Sequence, residues 1–269
     1  MRIASFNING VKARLPALLD WLETSAPDVA ALQELKSLDD AFPRSEIEAL
    51  GYHVETHGQK SFNGVAILSK RPIEDVRRGL PGDPEDAQAR WIEAVISGEG
   101  RAIRVCGLYL PNGNPVGVPA DATEGFSDKY LYKLAWMARL EARARELLDG
   151  EEIAVMLGDY NVIPQAEDVA RPEDWRDDAL FRPESRAAFR RLLTLGYTDA
   201  IRAVRPVGER YSFWDYQAGA WRKNDGIAID HLLLTPQAAD LLTDAWVEKA
   251  VRGGEKPSDH TPVWCDLNL

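Results

Sequence analysis

The chain has 269 residues, 45% of them hydrophobic, and a formal net charge of -11 at pH 7. This length and apolar content suffice for one large domain with a substantial core. The sequence has no apolar stretch near the roughly 20 residues of a membrane span, and its acidic balance excludes a protein that coats nucleic acid through bulk basicity. A nucleic-acid substrate is still allowed, because acidic residues that hold divalent cations attract phosphate locally.

The N-terminus enters a strand pattern directly and lacks the basic start, longer apolar segment and cleavage site of a secretory signal. Cys106 and Cys265 lie in apolar, strand-like runs, so we expect buried thiols and no disulfide. These features predict a cytoplasmic protein.

Apolar runs in the first part of the chain predict strands, and amphipathic runs predict helices. The second helix should end at Gly51, because glycine commonly follows a helix C-terminus. The predicted strands are 3–8, 29–32, 65–68, 91–96 and 103–110, and the predicted helices are 15–25 and 44–50.

A long helix is predicted over residues 128–148, ending at Asp149 and Gly150. The segment before it, residues 111–127, is rich in Pro, Gly and Asn and long for a structured domain, which predicts a functional loop. The expected apolar face of the helix consists of Leu131, Leu134, Ala135, Ala138, Leu147 and Leu148, with the charges of Arg139, Glu141 and Arg143 elsewhere.

The second part of the chain repeats this scheme, with predicted strands at 153–157, 211–215, 229–233 and 263–267 and a predicted helix at 184–195. In each half the opening strand ends near an asparagine, Asn7 in the first and Asn161 in the second. We therefore predict a single domain over 1–269 with two similar halves, about 1–148 and 151–269. Two α/β layers should pack sheet against sheet, with helices outside.

Polar residues at strand ends are the first candidates for chemistry. Asp159 and Asn161 follow an apolar strand two positions apart, so both side chains should lean into one cavity. Glu34 ends another apolar strand, and its carboxylate suits a hard cation such as Mg²⁺. Asn7 lies at the tip of the first strand. Each residue alone is equally typical of a strand-to-turn transition.

Asp230 interrupts the apolar strand 229–233, where a carboxylate is costly unless it is paired. His260, in the triplet Ser258-Asp259-His260, is the candidate partner, since an aspartate that holds one imidazole nitrogen orients the ring and favours its charged form. The sequence has no zinc-type Cys/His spacing, Walker loop, dinucleotide-binding turn or Gly-x-Ser-x-Gly elbow. Oxygen-ligated metal with an Asp-paired His suits phosphoester hydrolysis.

Taken in order, the polar motifs resemble those of the exonuclease III family of abasic-site endonucleases, within the wider endonuclease/exonuclease/phosphatase superfamily. The match covers nearly the whole chain. Its segments are Ser5-Phe6-Asn7-Ile8-Asn9-Gly10, Pro27-Asp28-Val29, Leu32-Gln33-Glu34, Gly51-Tyr52, His57-Gly58-Gln59-Lys60, Gly64-Val65-Ala66-Ile67-Leu68, Arg77-Arg78-Gly79, Gly158-Asp159-Tyr160-Asn161 and the stretch from Glu255 to Trp264.

This resemblance implies a four-layer α/β sandwich and a DNA repair phosphodiesterase. The enzyme would depend on Mg²⁺, with Mn²⁺ as a substitute, and cleave DNA beside abasic sites or from 3′ ends. The implied metal ligands are Asn7, Glu34, Asp159, Asn161, Asp259 and His260. The implied catalytic residues are Tyr109 at the phosphate, Asp159 with Asn161 at the water or leaving group, and the charged pair of Asp230 and His260.

The sequence departs from the family pattern at two places. Phe213 and Trp214 stand in the order Phe-Trp where the family often has Trp-Phe, which leaves an aromatic wall but changes the pocket for the abasic sugar. Ala228 replaces an arginine of the pattern Arg-Ile-Asp, which removes a structural ion pair or a DNA contact. Other predicted DNA contacts, each also typical of solvated surface, are Trp221, Arg222, Lys223, Lys60, Arg90 and Lys129.

Two alternatives remain beside a monomeric nuclease acting on duplex DNA. One is a superfamily phosphatase for inositol phosphates or lipid head groups, and the other is a catalytically silent regulator on the same fold. The intact acidic set argues against the regulator, since a binding module gains nothing from buried unpaired acids. The segments around residues 57–60 and 77–79 match the DNA branch and argue against the phosphatase.

Overall fold

A computed structural model describes residues 1–117, 125–208 and 210–269. Within these ranges, twelve strands form two six-stranded sheets that pack face to face, and helices cover their outer faces. The predicted fold class is therefore confirmed. Of the predicted loop 111–127, residues 118–124 lie outside the described part of the chain.

The strands alternate with loops and helices along the whole chain. Their bounds are β1 Arg2–Asn7, β2 Val29–Gln33, β3 His53–His57, β4 Val65–Ser69, β5 Ile73–Arg78, β6 Trp91–Ser97, β7 Ala102–Tyr109, β8 Ala154–Asp159, β9 Thr198–Asp199, β10 Asp230–Leu234, β11 Leu242–Val247 and β12 Val263–Leu267. The helices are α1 Leu15–Thr24, α2 Arg44–Glu48, α3 Asp128–Asp149, α4 Pro183–Thr194, α5 Ala200–Val204, α6 Ala220–Lys223 and α7 Pro236–Ala239.

The two sheets share one pattern of pairing. The first has the order β11-β12-β1-β2-β4-β3 and the second β5-β6-β7-β8-β10-β9. In each sheet the central pair is parallel, β1 with β2 and β7 with β8, and the flanking pairs are antiparallel. The first sheet contains strands from both ends of the chain, because β11 and β12 return to it, whereas the second sheet is built from the consecutive strands β5 to β10.

Three apolar clusters hold the layers together. The cluster between the sheets includes Ile3 and Val263 from the first sheet and Val105 and Leu157 from the second. A second cluster lies between the first sheet and α1, and a third between the second sheet and helices α3 and α4. Because the inner strands are covered on both faces, their sequences are nearly continuous apolar runs.

Helix α3 begins where Ser127 Oγ accepts a hydrogen bond from Tyr130 N at 3.2 Å, an N-cap. Its buried face is not the predicted one: Leu131, Ala135 and Ala138 are exposed. The buried residues are Tyr130, Lys133, Trp136, Met137, Leu140, Arg143, Ala144 and Leu147. The prediction failed because it ranked positions by side-chain polarity, whereas Arg143 is buried through bonds of 2.8 and 3.0 Å to Glu93.

The predicted strand 211–215 is also wrong. Phe213 forms only isolated bridges, to Ile227 and to His260, so this segment is a loop that touches two backbones at one residue. Cys106 and Cys265 are buried and free, as predicted. In the described ranges we find no helix with the length and apolar character needed to cross a membrane.

Candidate active site

The carboxyl ends of the four central strands meet at one edge of the sandwich, which we call the site edge. Asn7 ends β1, Glu34 directly follows β2, and Tyr109 lies opposite Asp159 in the register of β7 and β8. Ligand sites of α/β sheets commonly form at such strand ends. The fold therefore gathers residues that are far apart in the sequence.

Several residues at the site edge have positive φ although they are not glycine. Asn9, Glu34, Lys36 and Asn161 have φ of 49°, 52°, 52° and 46°. This left-handed backbone is disfavoured for side chains with a β-carbon and is common at functional sites. These residues turn the chain after β1, β2 and β8.

Gly158 shows why only glycine precedes the aspartate of β8. Its φ is 157°, and a β-carbon there would lie 1.9 Å from the carbonyl oxygen of Leu108 on the neighbouring strand. Backbone contact of this kind cannot be relieved by a rotamer change. The glycine thus lets β7 and β8 bring Tyr109 and Asp159 side by side.

Asn7 connects the two carboxylates at the centre of the site. Its Nδ2 donates to Glu34 Oε1 at 3.0 Å and to Asp159 Oδ2 at 2.9 Å. Asp159 Oδ1 accepts from Asn161 N at 2.9 Å, and Lys36 Nζ lies 3.0 Å from Glu34 Oε2. Two of the three predicted metal-binding carboxylates, Glu34 and Asp159, therefore lie within one hydrogen-bonded group.

His260 and Asp230 form the predicted pair. Nδ1 of His260 donates to Asp230 Oδ2 at 2.8 Å, and the other nitrogen, Nε2, lies 3.6 Å from Asp159 Oδ2. Ser212 Oγ also donates to Asp230 Oδ2, at 2.6 Å. Asp230 is thus a buried carboxylate with two donors, and it aims the free nitrogen of His260 at the site.

Electrostatics keep this histidine charged. Burial lowers the pKa of His260, but the carboxylates of Asp230 and Asp159 outweigh burial and raise the pKa to about 10. In the same site, burial raises the pKa of Asp159, against the opposing effect of the His260 cation. At neutral pH the imidazole is therefore a cation that donates through Nε2.

The pKa of Glu34 is lowered, whereas the pKa of Tyr109 is raised. Burial acts to raise the pKa of Glu34, but the hydrogen bond from Asn7 and the charge of Lys36 hold it below its usual value. Burial and the negative charges of Glu34 and Asp159 raise the pKa of Tyr109 well above its usual value. Glu34 is thus a carboxylate, and Tyr109 keeps its phenolic proton.

The residues present fit a divalent cation. Glu34, Asp159 and His260 each place one ligand atom within 4.8 Å of the others, in the described part of the chain. Two carboxylates suit Mg²⁺, which prefers oxygen ligands, whereas a protonated imidazole has no lone pair to offer. Asp259 is one contact away from this group, since its Oδ1 accepts from Asn9 Nδ2 at 3.0 Å.

Asn161 is held by the loop that follows β7. Its Nδ2 donates to Leu110 O at 2.9 Å, and its Oδ1 accepts from Asn112 Nδ2 at 3.2 Å. Lys133, on the buried face of α3, donates to the main-chain oxygens of Asn161 and Asn112 at 2.5 and 3.0 Å. Burial lowers the pKa of Lys133 to about 7, and the charge of Asp159 opposes that shift.

The predicted DNA contacts take different positions. The ring of Phe213 is half-buried with its centroid 5.0 Å from that of His260, so it lies at the site. Arg90 lies over the ring of Tyr109, with 4.9 Å between its Cζ and the ring centroid. Arg90 and Lys129 line one cavity of about 520 Å³. Lys60, Lys129, Arg222 and Lys223 are exposed, and Trp221 is half-buried.

Trp214 is placed differently from the prediction, because it is fully buried. Its ring packs on Trp221 with centroids 4.9 Å apart, and its Nε1 donates to Asn224 Oδ1 at 3.3 Å. A side chain without exposed surface cannot touch a substrate directly, so Trp214 supports the loop that carries Phe213. Ala228 is buried, and nearby Asp168 pairs instead with Arg202 and Arg210.

Three supporting residues were not predicted from the sequence. Ser212 holds Asp230, Ser258 Oγ donates to Asn7 O at 2.6 Å, and Lys133 holds the Asn161 segment. Ser258 belongs to the Ser258-Asp259-His260 triplet, and Lys133 falls on the helical stripe of Tyr130, Trp136 and Leu140. A lysine in register with a buried apolar stripe calls for an acceptor inside the fold.

Known proteins are similar to this chain in sequence. Residues 4–260 match the Endonuclease/Exonuclease/phosphatase family. The exodeoxyribonuclease III of Haemophilus influenzae is 36% identical over 274 aligned positions, covering 99% of this chain and 100% of that protein.

Solved structures are similar over the full length as well. An AP endonuclease from Archaeoglobus fulgidus aligns with a TM-score of 0.90 at 35% identity, and 100% of both chains is covered. The 3′ phosphatase NExo from Neisseria, bound to a product DNA hairpin, aligns with a TM-score of 0.92 at 36% identity, again over 100% of both chains. The sheet architecture is thus common to these proteins.

Proposed function

The chain belongs to the endonuclease/exonuclease/phosphatase family and is a nuclease of DNA repair, and we propose that it hydrolyses DNA phosphodiesters 5′ to abasic sites and removes nucleotides or blocking groups from 3′ ends. The family assignment rests on similarity over the full chain. The choice of abasic sites and 3′ ends is supported by the names of relatives, an AP endonuclease and a 3′ phosphatase.

One observation carries the proposed chemistry: carboxylates and an imidazolium meet at one edge. Glu34, Asp159 and His260 have ligand atoms within 4.8 Å of one another, and Asp230 is bonded to the far side of His260. Such a site can place positive charge at a phosphate and a base beside it. Gathering several buried acids around one histidine costs desolvation energy that a purely structural role does not require.

Each residue has a role in this proposal. The His260 imidazolium donates from Nε2 to a phosphate oxygen, and Asp230 keeps the ring charged and oriented. Asp159 accepts a proton from the attacking water, because its carboxylate lies at the centre of the site beside Asn7 and His260. Tyr109 retains its proton, so it donates to a phosphate oxygen or to the leaving oxygen.

We propose Glu34 and Asp159 as the residues that hold Mg²⁺, with Asn7 fixing both carboxylates and Asp259 linked to them through Asn9. The cation, for which Mn²⁺ could substitute, supplies charge that offsets the negative charge developing on the phosphoryl oxygens. Asn161 orients the water beside Asp159, and its remaining Nδ2 hydrogen is the group available for this.

Phe213 is the proposed wall of the pocket for the abasic sugar, since its ring lies against His260. Arg90, Lys129, Lys60, Arg222, Lys223 and Trp221 are proposed contacts to the DNA backbone around that pocket. We propose a monomer, because a duplex must reach the site edge from an open side. We also propose a cytoplasmic location.

The test uses purified protein, Mg²⁺ and three substrates: a duplex with one tetrahydrofuran abasic analogue, a blunt duplex, and an inositol polyphosphate. We expect a nick 5′ to the analogue or shortening from the 3′ end of the blunt duplex. Phosphate release from the inositol compound alone would assign the chain to the phosphatase branch. Inactivity on all three would favour a regulator.

Asp159→Asn tests the catalytic assignment within this proposal. The variant should lose at least about 100-fold in kcat, as expected when a positioned base is removed, while circular dichroism and the unfolding midpoint stay close to those of the unaltered protein. Glu167→Gln, an exposed acid eight residues along the chain, is the matched control and should keep full activity. Full turnover by Asp159→Asn would show that another residue activates the water.

A further inference from the structure

Lys133 is a buried lysine on helix α3. It is fully buried on the inner face of α3, and its ammonium donates to two main-chain carbonyls, Asn161 O at 2.5 Å and Asn112 O at 3.0 Å. Lysine is almost never fully buried unless its charge has partners. The choice of partners therefore calls for an explanation.

The two carbonyls belong to the segments that hold the catalytic side chains. Asn161 follows β8 two residues after Asp159, and Asn112 follows β7 three residues after Tyr109. The same two segments are joined by Asn112 Nδ2 to Asn161 Oδ1 at 3.2 Å and by Asn161 Nδ2 to Leu110 O at 2.9 Å. Lys133 completes this ring of hydrogen bonds, because its ammonium donates to the main-chain oxygens of both Asn161 and Asn112.

The loop lies directly on the lysine stem. A β-carbon at Gly113 would be 2.6 Å from Lys133 Cδ and 3.2 Å from both Ala179 Cβ and the ring of Tyr130. Gly113 also has φ of 90°, so glycine is required on both grounds. Loop and lysine are thus fitted to each other, and the ammonium has little freedom to move away from the two carbonyls.

The geometry points to Lys133 as a positioning residue for the nuclease reaction: by binding the main-chain oxygens of Asn161 and Asn112, it fixes the Asn161 amide beside Asp159. The inference rests on the proposed function and deepens it, because it assigns a residue outside the site to the catalytic step. Lys133 reaches the substrate only through Asn161.

A lysine suits this position for a physical reason. Its ammonium carries three donors that can satisfy carbonyls approaching from different segments, and bonds from a charged donor are stronger than neutral ones. Methionine has nearly the same length but no donor, so the buried carbonyl of Asn161 and the partly buried carbonyl of Asn112 would lose this partner. Displacing a catalytic group by about 1 Å can cost about 100-fold in rate.

The experiment compares Lys133→Met with the unaltered protein in single-turnover cleavage of the tetrahydrofuran duplex at saturating enzyme and Mg²⁺. Positioning predicts that the rate constant falls about 10- to 100-fold, while the Kd for uncleaved duplex, measured in Ca²⁺, changes less than about twofold. Lys133→Arg keeps the donors and should recover part of the rate. A merely structural role predicts a lower reaction amplitude with an unchanged rate constant.

Arg145→Met is the matched control, since Arg145 is a 57% exposed cation on the same helix paired only with Glu141 in the described structure. It should leave rate, amplitude and affinity unchanged. Lys133→Met with an unaltered rate constant overturns the inference and leaves the proposed function standing. An unaltered protein that does not cleave the duplex removes the proposed function and the inference with it.

Asn112→Ala decides the matter if Lys133→Met does not fold. Asn112 is exposed, so its replacement should spare the fold, and it removes the donor to Asn161 Oδ1 from the same ring of bonds. We expect the rate constant to fall at least about fivefold, which corresponds to the loss of about one hydrogen bond. A rate constant equal to that of the unaltered protein would contradict positioning through Asn161.

Discussion

Asp230 lies buried at the start of the apolar strand β10, and His260 is the residue that compensates its charge there. The two side chains are bonded at 2.8 Å, and Ser212 supplies a second donor to the same oxygen. Burial alone would favour the neutral form of the His260 imidazole. With Asp230 as its partner the ring stays an imidazolium, and its other nitrogen, Nε2, is directed at Asp159.

The pairing of His260 has a consequence for stability against pH. Its pKa is raised to about 10 in the folded protein, above the value of about 6.5 in an unfolded chain. The stabilisation contributed by the charged His260 is therefore complete below about pH 6.5 and is lost as the pH rises towards 10. In metal-free buffer, the stability advantage over His260→Asn should shrink between pH 7 and pH 10 by at least about 1 kcal/mol.

Lys133→Met is the comparison variant for this measurement, because the pKa of Lys133 is shifted in the opposite direction from the pKa of His260. The pKa of Lys133 is lowered to about 7 by burial, so the cost of its buried charge is relieved as the pH rises. Chemical denaturation at several pH values should show the advantage over Lys133→Met growing while the advantage over His260→Asn shrinks. Two parallel profiles would contradict the assigned shifts.

Glu34 gives a test of the metal site that needs no activity assay. Anything that binds only the folded protein raises its stability, so excess Mg²⁺ should raise the unfolding midpoint by about 3 °C or more. Glu34→Gln should lose most of that rise. Glu99→Gln alters an exposed acid in the turn after β6 and should keep the full rise, as measured by differential scanning calorimetry.

At the scale of elements, function collects at the ends of strands and in the loops that follow them. Asn7, Glu34, Tyr109 and Asp159 all lie at the carboxyl ends of central strands. In α6, Trp221 packs on Trp214 with ring centroids 4.9 Å apart, and the cations of Arg222 and Lys223 are exposed. Rigid strands hold the chemistry, and short loop elements offer contacts to a larger substrate.

Reversing the charges of Arg222 and Lys223 to Glu should weaken binding to duplex DNA. Each lost phosphate contact reduces the slope of log affinity against log salt by about 1, so the double reversal should lower it by about 2. Arg101→Glu is the matched control, because Arg101 is exposed at the opposite end of β7 from Tyr109. Fluorescence anisotropy over a salt series measures the slope, and an unchanged slope would remove both residues from the interface.

At the scale of the whole molecule, the first strand, β1, pairs with the last strand, β12. β12 lies between β1 and β11, so the last strand completes the sheet that the first strand begins. Ser258 Oγ reaches back to Asn7 O at 2.6 Å, which ties the Ser-Asp-His triplet to the first strand. The site therefore exists only when both ends of the sequence are in place.

Removal of residues 263–269 should prevent folding, because β1 and β11 would each lose a central neighbour and the core between the sheets would lose Val263, Cys265 and Leu267. We expect a disordered circular dichroism spectrum and poor dispersion of amide resonances. A chain lacking only Asn268 and Leu269 keeps β12 whole and should fold. A cooperative unfolding transition in the chain that lacks residues 263–269 would contradict this dependence on β12.

The sequence by itself determined the inner strands. All eight inner strands of the two sheets were predicted, whereas the edge strands β3, β5, β9 and β11 were not. Inner strands are buried on both faces and read as apolar runs, but an edge strand such as β5 is mostly exposed and carries polar side chains. Motif order alone also identified Asn7, Glu34, Asp159, Asp230 and His260 as the candidate site, and the structure gathers them at one edge.

Only the tertiary structure decided which polar residues are buried and what they hold. Trp214 is a core residue, although the sequence pattern predicted a substrate contact. On α3, Lys133 is buried and Leu131 is exposed, whereas the polarity of these two side chains predicted the reverse. Burial depends on neighbours from distant parts of the chain, such as the carbonyl of Asn161 for Lys133 or Glu93 for Arg143. A periodic pattern records how polar a side chain is, but the partner that compensates its charge is supplied by the fold.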